Sequence, residues 1–169
     1  MFRSLCISLP LLALLLGGCA QPSYVYHYVP GKTADLSGGY AIAPPGAPSE
    51  VKAAIAAGHR IAGLPYQYGA GHGPGPGVDT AYDCSGAASY VLRGAGRLDE
   101  STTSSALRRF GDSGEGNWIT IYARHGHVFL VVAGLRFDTG WTHGGSKGPR
   151  WTRESRPADQ CVLRHPQGL

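Results

Sequence analysis

Residues 82–92 read YDCSGAASYVL. The run from Cys84 to about Arg93 has the small and apolar residues of a packed helix, with Gly94 and Gly96 as its stop. Asp83 stands where a side-chain oxygen can cap that helix. A cysteine in the first helical turn faces unpaired backbone N–H groups and the positive end of the helix dipole. Both favour thiolate over thiol, and the thiolate is the nucleophilic form. Ser85, Gly86 and Ala87 are small enough for a substrate backbone to approach closely. A nucleophilic thiol also needs a general base on a neighbouring element. His127, which opens the apolar run HVFLVV at 127–132, is the candidate.

Working outward, Val51, Ala54, Ile55, Gly58, Ile61 and Ala62 recur at helical spacing after Ser49, the expected N-cap, and Gly63-Leu64-Pro65 ends that helix. The next stretch, YQYGAGHGPGPGVDTAYD at 66–83, is a glycine-rich loop that only structure on both sides can hold. A short helix is expected from about Thr103 to Phe110. Beyond Gly111 the pattern turns to strands, at 118–123, 127–133 and 135–140, the last two forming a hairpin about Ala133-Gly134. Residues 160–164 can close the sheet. Helices first and strands second predict an α+β class, with N-terminal helices packed on a small antiparallel sheet.

Tyr66-x-Tyr68-Gly69, Asp83-Cys84-Ser85-Gly86 and Gly126-His127-Val128 together resemble, in order and spacing, the three landmarks of the NlpC-type papain-like cell-wall cysteine peptidases. The resemblance covers most of residues 60–140 and implies a papain-like fold. It implies Cys84 as nucleophile and His127 as base, with Tyr66 and the Cys84 backbone N–H stabilising the oxyanion. Asp83 and Ser85 match positions that contact the free amino group of a stem peptide. The implied reaction is amide hydrolysis in peptidoglycan stem peptides through a thioester, without cofactor or metal. Alternatives are an N-acetylmuramoyl-L-alanine amidase of the same cysteine–histidine type, or a catalytically idle cell-wall-binding lipoprotein.

The chain also departs from the pattern. Phe129 stands where the family commonly has glycine, and Asp138-Thr139 stands where its third polar residue, usually histidine, falls. A two-residue turn at Ala133-Gly134 sets Phe129 opposite Asp138 and puts Asp138 on the His127 face. A three-residue turn would present Thr139 instead, and His143 is a further candidate. The motifs GPRW at 148–151 and RHP at 164–166 lie outside the resemblance, where an altered substrate preference can reside.

The chain opens MFRSLCISLPLLALLLGGCA, a basic residue, a short apolar run and a small-residue processing site, which reads as a signal peptide over 1–18. Leu16-Gly17-Gly18-Cys19 resembles the bacterial lipobox, in which Cys19 is acylated and becomes the mature N-terminus. Ala20 then favours, by the same resemblance, an outer-membrane anchor facing the periplasm. Residues 19–48 are rich in Pro, Gly and Tyr and read as a tether before a domain at 49–169, although Tyr24 to Tyr28 alternate like a strand that can pack on it. The formal net charge of +4 suits an anionic polymer, but no basic stripe of the kind nucleic acid requires is present.

Of four cysteines, Cys6 leaves with the signal peptide. Cys84 can alternatively be a buried structural thiol or pair with Cys161 in an oxidising compartment; otherwise Cys161 is a buried, inert strand residue. His72, His125, His127 and His143 lack the usual ligand spacing for zinc. Lys147, Arg150 and Arg153 can clasp carboxylates, with a solvated loop as the simpler reading.

Overall fold

A hydrophobic period of two in the second half of the chain builds the central antiparallel sheet. The computed structural model describes residues 23–75, 77–140 and 148–169. The expected signal segment, Cys19, His143 and Lys147 lie outside the described residues. In chain order the elements are β1 (Ser23–Tyr24), β2 (Asp35–Ser37), β3 (Tyr40–Ile42), α1 (Ser49–Ile61), α2 (Cys84–Gly94), α3 (Ser104–Leu107), β4 (Asp112–Ser113), β5 (Ile119–Arg124), β6 (His127–Val132), β7 (Leu135–Asp138), β8 (Arg150–Thr152), β9 (Arg156–Pro157) and β10 (Val162–His165). The α+β class expected from sequence, helices packed on a small antiparallel sheet, is the one found.

The main sheet has six strands in the order β4-β10-β5-β6-β7-β8. Val128, Leu130 and Val132 of β6 enter the core shared with Val51, Ile55, Val91 and Leu92 of the helices. Phe129, between them in sequence, joins a second cluster with Tyr24, Tyr122 and Ala158. α2 lies over β6 and β7, while α1 packs on α2 and reaches β8. The β6–β7 turn is the expected two-residue one: Val132 pairs with Leu135, and Ala133 and Gly134 have φ of 46° and 73°. Two positive φ values match the turn to the sheet's own twist.

Helix starts follow the capping chemistry with one exception. Asp83 accepts from Gly86 N at 2.7 Å and Thr103 accepts from Ala106 N at 3.2 Å. Ser49 is not the N-cap: Pro48 holds that position without a side-chain bond, and the Ser49 hydroxyl instead meets the Glu50 carboxylate at 2.9 Å. α3 is shorter than expected because Arg109 N and Phe110 N bond three residues back, to Ala106 and Leu107, and tighten the chain into turns.

Residues 23–48 correct the tether reading. Tyr24, Ala34, Ala41 and Ala47 are buried, and β1 pairs with β9. The Tyr24 hydroxyl donates to Gly134 O at 2.9 Å and accepts from Arg136 N at 3.1 Å. Prolines and glycines shape turns here, while the Tyr24 hydroxyl reaches backbone groups of the β6–β7 hairpin and that of Tyr26 reaches Ala34 O.

Both tail motifs are structural. Trp151 of the GPRW motif is buried against Phe137 and His59, at ring distances of 4.7 and 6.2 Å. Arg164 of the RHP motif donates from Nε to Phe110 O at 2.8 Å and also holds Gly111 O and the Ser113 hydroxyl. Among the described residues no helix is long and apolar enough to cross a membrane.

Candidate active site

The chain around Cys84 is assembled by its glycine-rich loop. Tyr66 bridges in parallel to Tyr82, with Tyr82 N donating to Pro65 O at 3.0 Å and Gln67 N to Tyr82 O at 3.3 Å. Asp83 then fastens both sides: Oδ1 caps α2 and Oδ2 accepts from Gly69 N at 3.0 Å. Gly86 has no side chain for a reason that differs from the sequence expectation. A Cβ there would sit 2.3 Å from Ala70 O, so its smallness lets the loop close on the helix rather than admitting a substrate.

Cys84 is buried, and its sulfur faces the backbone N–H groups of Val128 and Ser85. Val128 is the residue after His127, and Gly126, the residue before it, lines the same groove as the thiol. That groove is about 450 Å³, with Tyr66, Tyr68, His72, Asp83 and Ser85 also on its walls. Another groove of about 450 Å³, lined by Tyr24, His27, Glu115 and Trp118, contains no cysteine. Cys84 and Cys161 are both free thiols, so the disulfide alternative is not formed.

Electrostatics at the thiol run against the sequence expectation. Burial pushes the Cys84 thiol above its ordinary range, and the Asp83 and Asp138 charges add to that, outweighing the Val128 and Ser85 N–H groups. A helix start alone therefore does not ionise this cysteine; its proton needs a base. His127 presents Nε2 to Asp138 Oδ1 at 3.0 Å, which leaves Nδ1 for proton exchange.

The third position is legible in the register. Leu130 pairs with Phe137 and Val131 with Arg136, so continuing the ladder sets Asp138 opposite Phe129. Asp138 is 2% exposed, bonded also to Gly140 N at 3.0 Å and to Arg156 Nη1, with Arg136 Nη1 at 3.6 Å. Burial alone would raise its carboxyl. The His127 hydrogen bond and the charges of Arg156, His127 and Arg136 overcome that and hold it below the usual carboxylate range. Thr139 is buried too, with its hydroxyl lacking a partner among the described residues.

Sequence reading missed His72, whose Nε2 lies 3.2 Å from Asp83 Oδ1 and 3.4 Å from Ser85 Oγ. Nothing in a Gly-His-Gly loop signals that partnership. Arg136 and Arg156, around Asp138, were missed likewise. Other residues fall outside the site. His125 is in the β5–β6 turn and meets Arg108 Nη1 at 2.8 Å. Arg150 donates to Gly148 O and Gly140 O, and Arg153 pairs with Asp35, so neither waits for a carboxylate. Cys161 lies just before β10 and is half-buried, not sealed in a strand.

No family model matches the chain, and no curated protein does. Among solved structures, two mutated forms of the Resuscitation Promoting Factor Interacting protein RipA align at 22% identity and TM-score 0.49, covering 69% of this chain and 62% of theirs. Rv1477, a hypothetical invasion protein of Mycobacterium tuberculosis, aligns at 21% identity and TM-score 0.46, covering 68% and 61%. The chain spans less than two thirds of the structures it matches. The chemistry of the site rests on this chain's own side chains.

Asp83 offers a direct check on the thiol. Its carboxyl is held low: burial would raise it, but the Gly86 N–H, the Ser85 hydroxyl and His72 stabilise the anion. Asp83→Asn removes a negative charge that disfavours the thiolate. The pH midpoint of Cys84 alkylation by iodoacetamide is therefore expected to fall in this variant. An unchanged or raised midpoint would show that Asp83 does not act on the thiol.

Proposed function

We propose that this chain is a thiol-dependent peptidoglycan hydrolase that cleaves an amide bond in cell-wall stem peptides. The observation that carries the reading is a buried cysteine at a helix start, facing the backbone N–H beside a histidine hydrogen-bonded to a buried carboxylate. In this reading His127 Nδ1 takes the Cys84 proton as Sγ attacks the carbonyl carbon. The oxyanion is met by the Cys84 N–H and Tyr66, whose ring lines the groove. The imidazolium then returns the proton to the leaving amine, giving a thioester. Water, deprotonated by the same imidazole, hydrolyses that thioester and releases the acid and the free thiol.

Substrate choice follows from charge. Asp83 is anionic at neutral pH and opens on the groove beside Ser85, which suits the free ammonium of a short peptide. This agrees with the motif resemblance. Incubating the protein with purified sacculi and weighing the products tests the reading. Release of peptides cut within the stem supports an endopeptidase; glycan freed of L-Ala supports the amidase alternative. Binding to sacculi without any product would favour the idle lipoprotein.

Cys19 is assigned here as the acylated N-terminus, holding the enzyme to a membrane of the cell envelope, with the outer membrane facing the periplasm as the proposed place. Two or more acyl chains anchor stably, each buried methylene adding about 0.8 kcal/mol. Cys19→Ala should abolish fatty-acid incorporation and move the protein from the detergent to the aqueous phase. A native protein with an unmodified N-terminus at another residue would end this assignment.

A further inference from the structure

Asp138 is gripped from two sides. Oδ1 receives His127 Nε2 and Gly140 N, each at 3.0 Å, while Oδ2 receives Arg156 Nη1. Arg136 stands behind Oδ2 at 3.6 Å. A carboxylate with only one oxygen tied down can swing about its terminal torsion, which is broad. Tying Oδ2 to a fixed guanidinium fixes the direction of Oδ1, and hence the plane of the His127 ring.

Arg156 is itself held by Phe129 and by Tyr24, a residue that composition assigns to a tether. Its guanidinium lies 5.1 Å above the Phe129 ring. Phe129 is stacked on Tyr122 at 4.6 Å and meets the edge of Tyr24 at 6.5 Å. Tyr24 is in turn the register partner of Arg156 across the β1–β9 pair. The aromatic residue found where the resemblance expects glycine is thus the floor on which the arginine rests. Arg156 is 7% exposed and is not on the wall of the Cys84 groove, so a direct hold on substrate is not its role.

We propose that Arg156 is a positioning residue for the Cys84–His127 pair, acting through Asp138, and that Tyr24 and Phe129 hold it in place. The proposal rests on the thiol-hydrolase reading of Cys84 and His127. It makes the N-terminal strand part of the support of the reacting groups, although no residue of that strand touches them.

The test is a double-mutant cycle on the full chain, read in two ways. On a defined stem peptide, Arg156→Met should lower kcat about tenfold and leave KM within about twofold, since a transition-state interaction is lost without a ground-state one. Arg156→Lys, which keeps the charge, should recover part of the loss. Asp138→Ala with Arg156→Met should be no slower than Asp138→Ala alone, because the two act in series. If Asp138→Ala does not fold, the kcat and KM of Arg156→Met and Arg156→Lys decide. Losses that multiply, or a raised KM at constant kcat, overturn the proposal. The second readout is the rate of Cys84 alkylation by iodoacetamide, which needs no peptide. If no stem peptide is cut, the substrate reading fails, yet coupled losses in alkylation still support the clamp and independent losses overturn it.

Discussion

Replacing Cys84 by alanine is expected to leave a folded protein that releases no muropeptide. Removal of a nucleophile that acts in concert with a base costs on the order of 10⁶ in kcat where it has been dissected. The fold should survive because the sulfur sits in an apolar cluster with Ala87 and Ala88, and a methyl group retains most of that contact. Asp83 still caps α2, since its bond to Gly86 N does not involve the sulfur. Thiol labelling sharpens the expectation. Burial raises both the Cys84 and the Cys161 thiol, so neither is intrinsically activated by its surroundings. Faster alkylation of Cys84 than of Cys161 is expected through His127, and His127→Ala should slow Cys84 while leaving Cys161 unchanged. Muropeptide release by Cys84→Ala near the wild-type rate would sink the cysteine mechanism, whatever the labelling shows.

The distribution of legible and illegible features has a physical cause. Periodicity carries the α+β class, the Cys84 helix and the β6–β7 hairpin, because burying one face of an element writes itself into spacing. Turn chemistry even carries the register: a two-residue turn at Ala133-Gly134 is enough to bring Asp138 to His127. Residues 23–48 defeat composition, since Pro and Gly are as frequent in ordered turns as in tethers. Only long-range partners, such as Tyr24 with Gly134 and Arg136, decide between the two. The same holds for the thiol. Helix position argues for a lowered pKa, but burial and the Asp138 carboxylate act through distances that sequence does not encode, and with the adjacent Asp83 they win. Arg156 lies 18 residues beyond Asp138, in a segment without periodicity, and nothing local announces their pairing.

Asp138→Ala is expected to damage stability as well as rate. The carboxylate pairs with Arg156 and faces Arg136, both buried. Removing the anion of such a buried cluster costs about 3–5 kcal/mol, large against a total stability of about 5–15 kcal/mol. Because the Asp138 carboxyl is held below its ordinary range, its contribution is fully present above the unfolded carboxylate value of about 3.9. It is lost as pH falls through the lower folded value. The stability gap between wild type and Asp138→Ala, measured by urea unfolding, should thus stay level from neutral pH to about pH 4 and narrow below it. The rate should fall more than about tenfold, at least 1.4 kcal/mol of transition-state stabilisation. Asparagine is not a mild replacement. Its amide has one acceptor for two demands, so it can accept from His127 or from Arg156, but not both. If the oxygen turns to Arg156, the NH₂ meets His127 Nε2 and moves the ring proton to Nδ1, the atom that must receive the thiol proton. A reversed tautomer of that kind costs about 10⁴ in the serine hydrolases where it is known. Asp138→Asn should therefore unfold less readily than Asp138→Ala yet lose at least as much activity. Should Thr139→Ala abolish cleavage while both Asp138 variants cut at the wild-type rate, the orienting group is not this carboxylate.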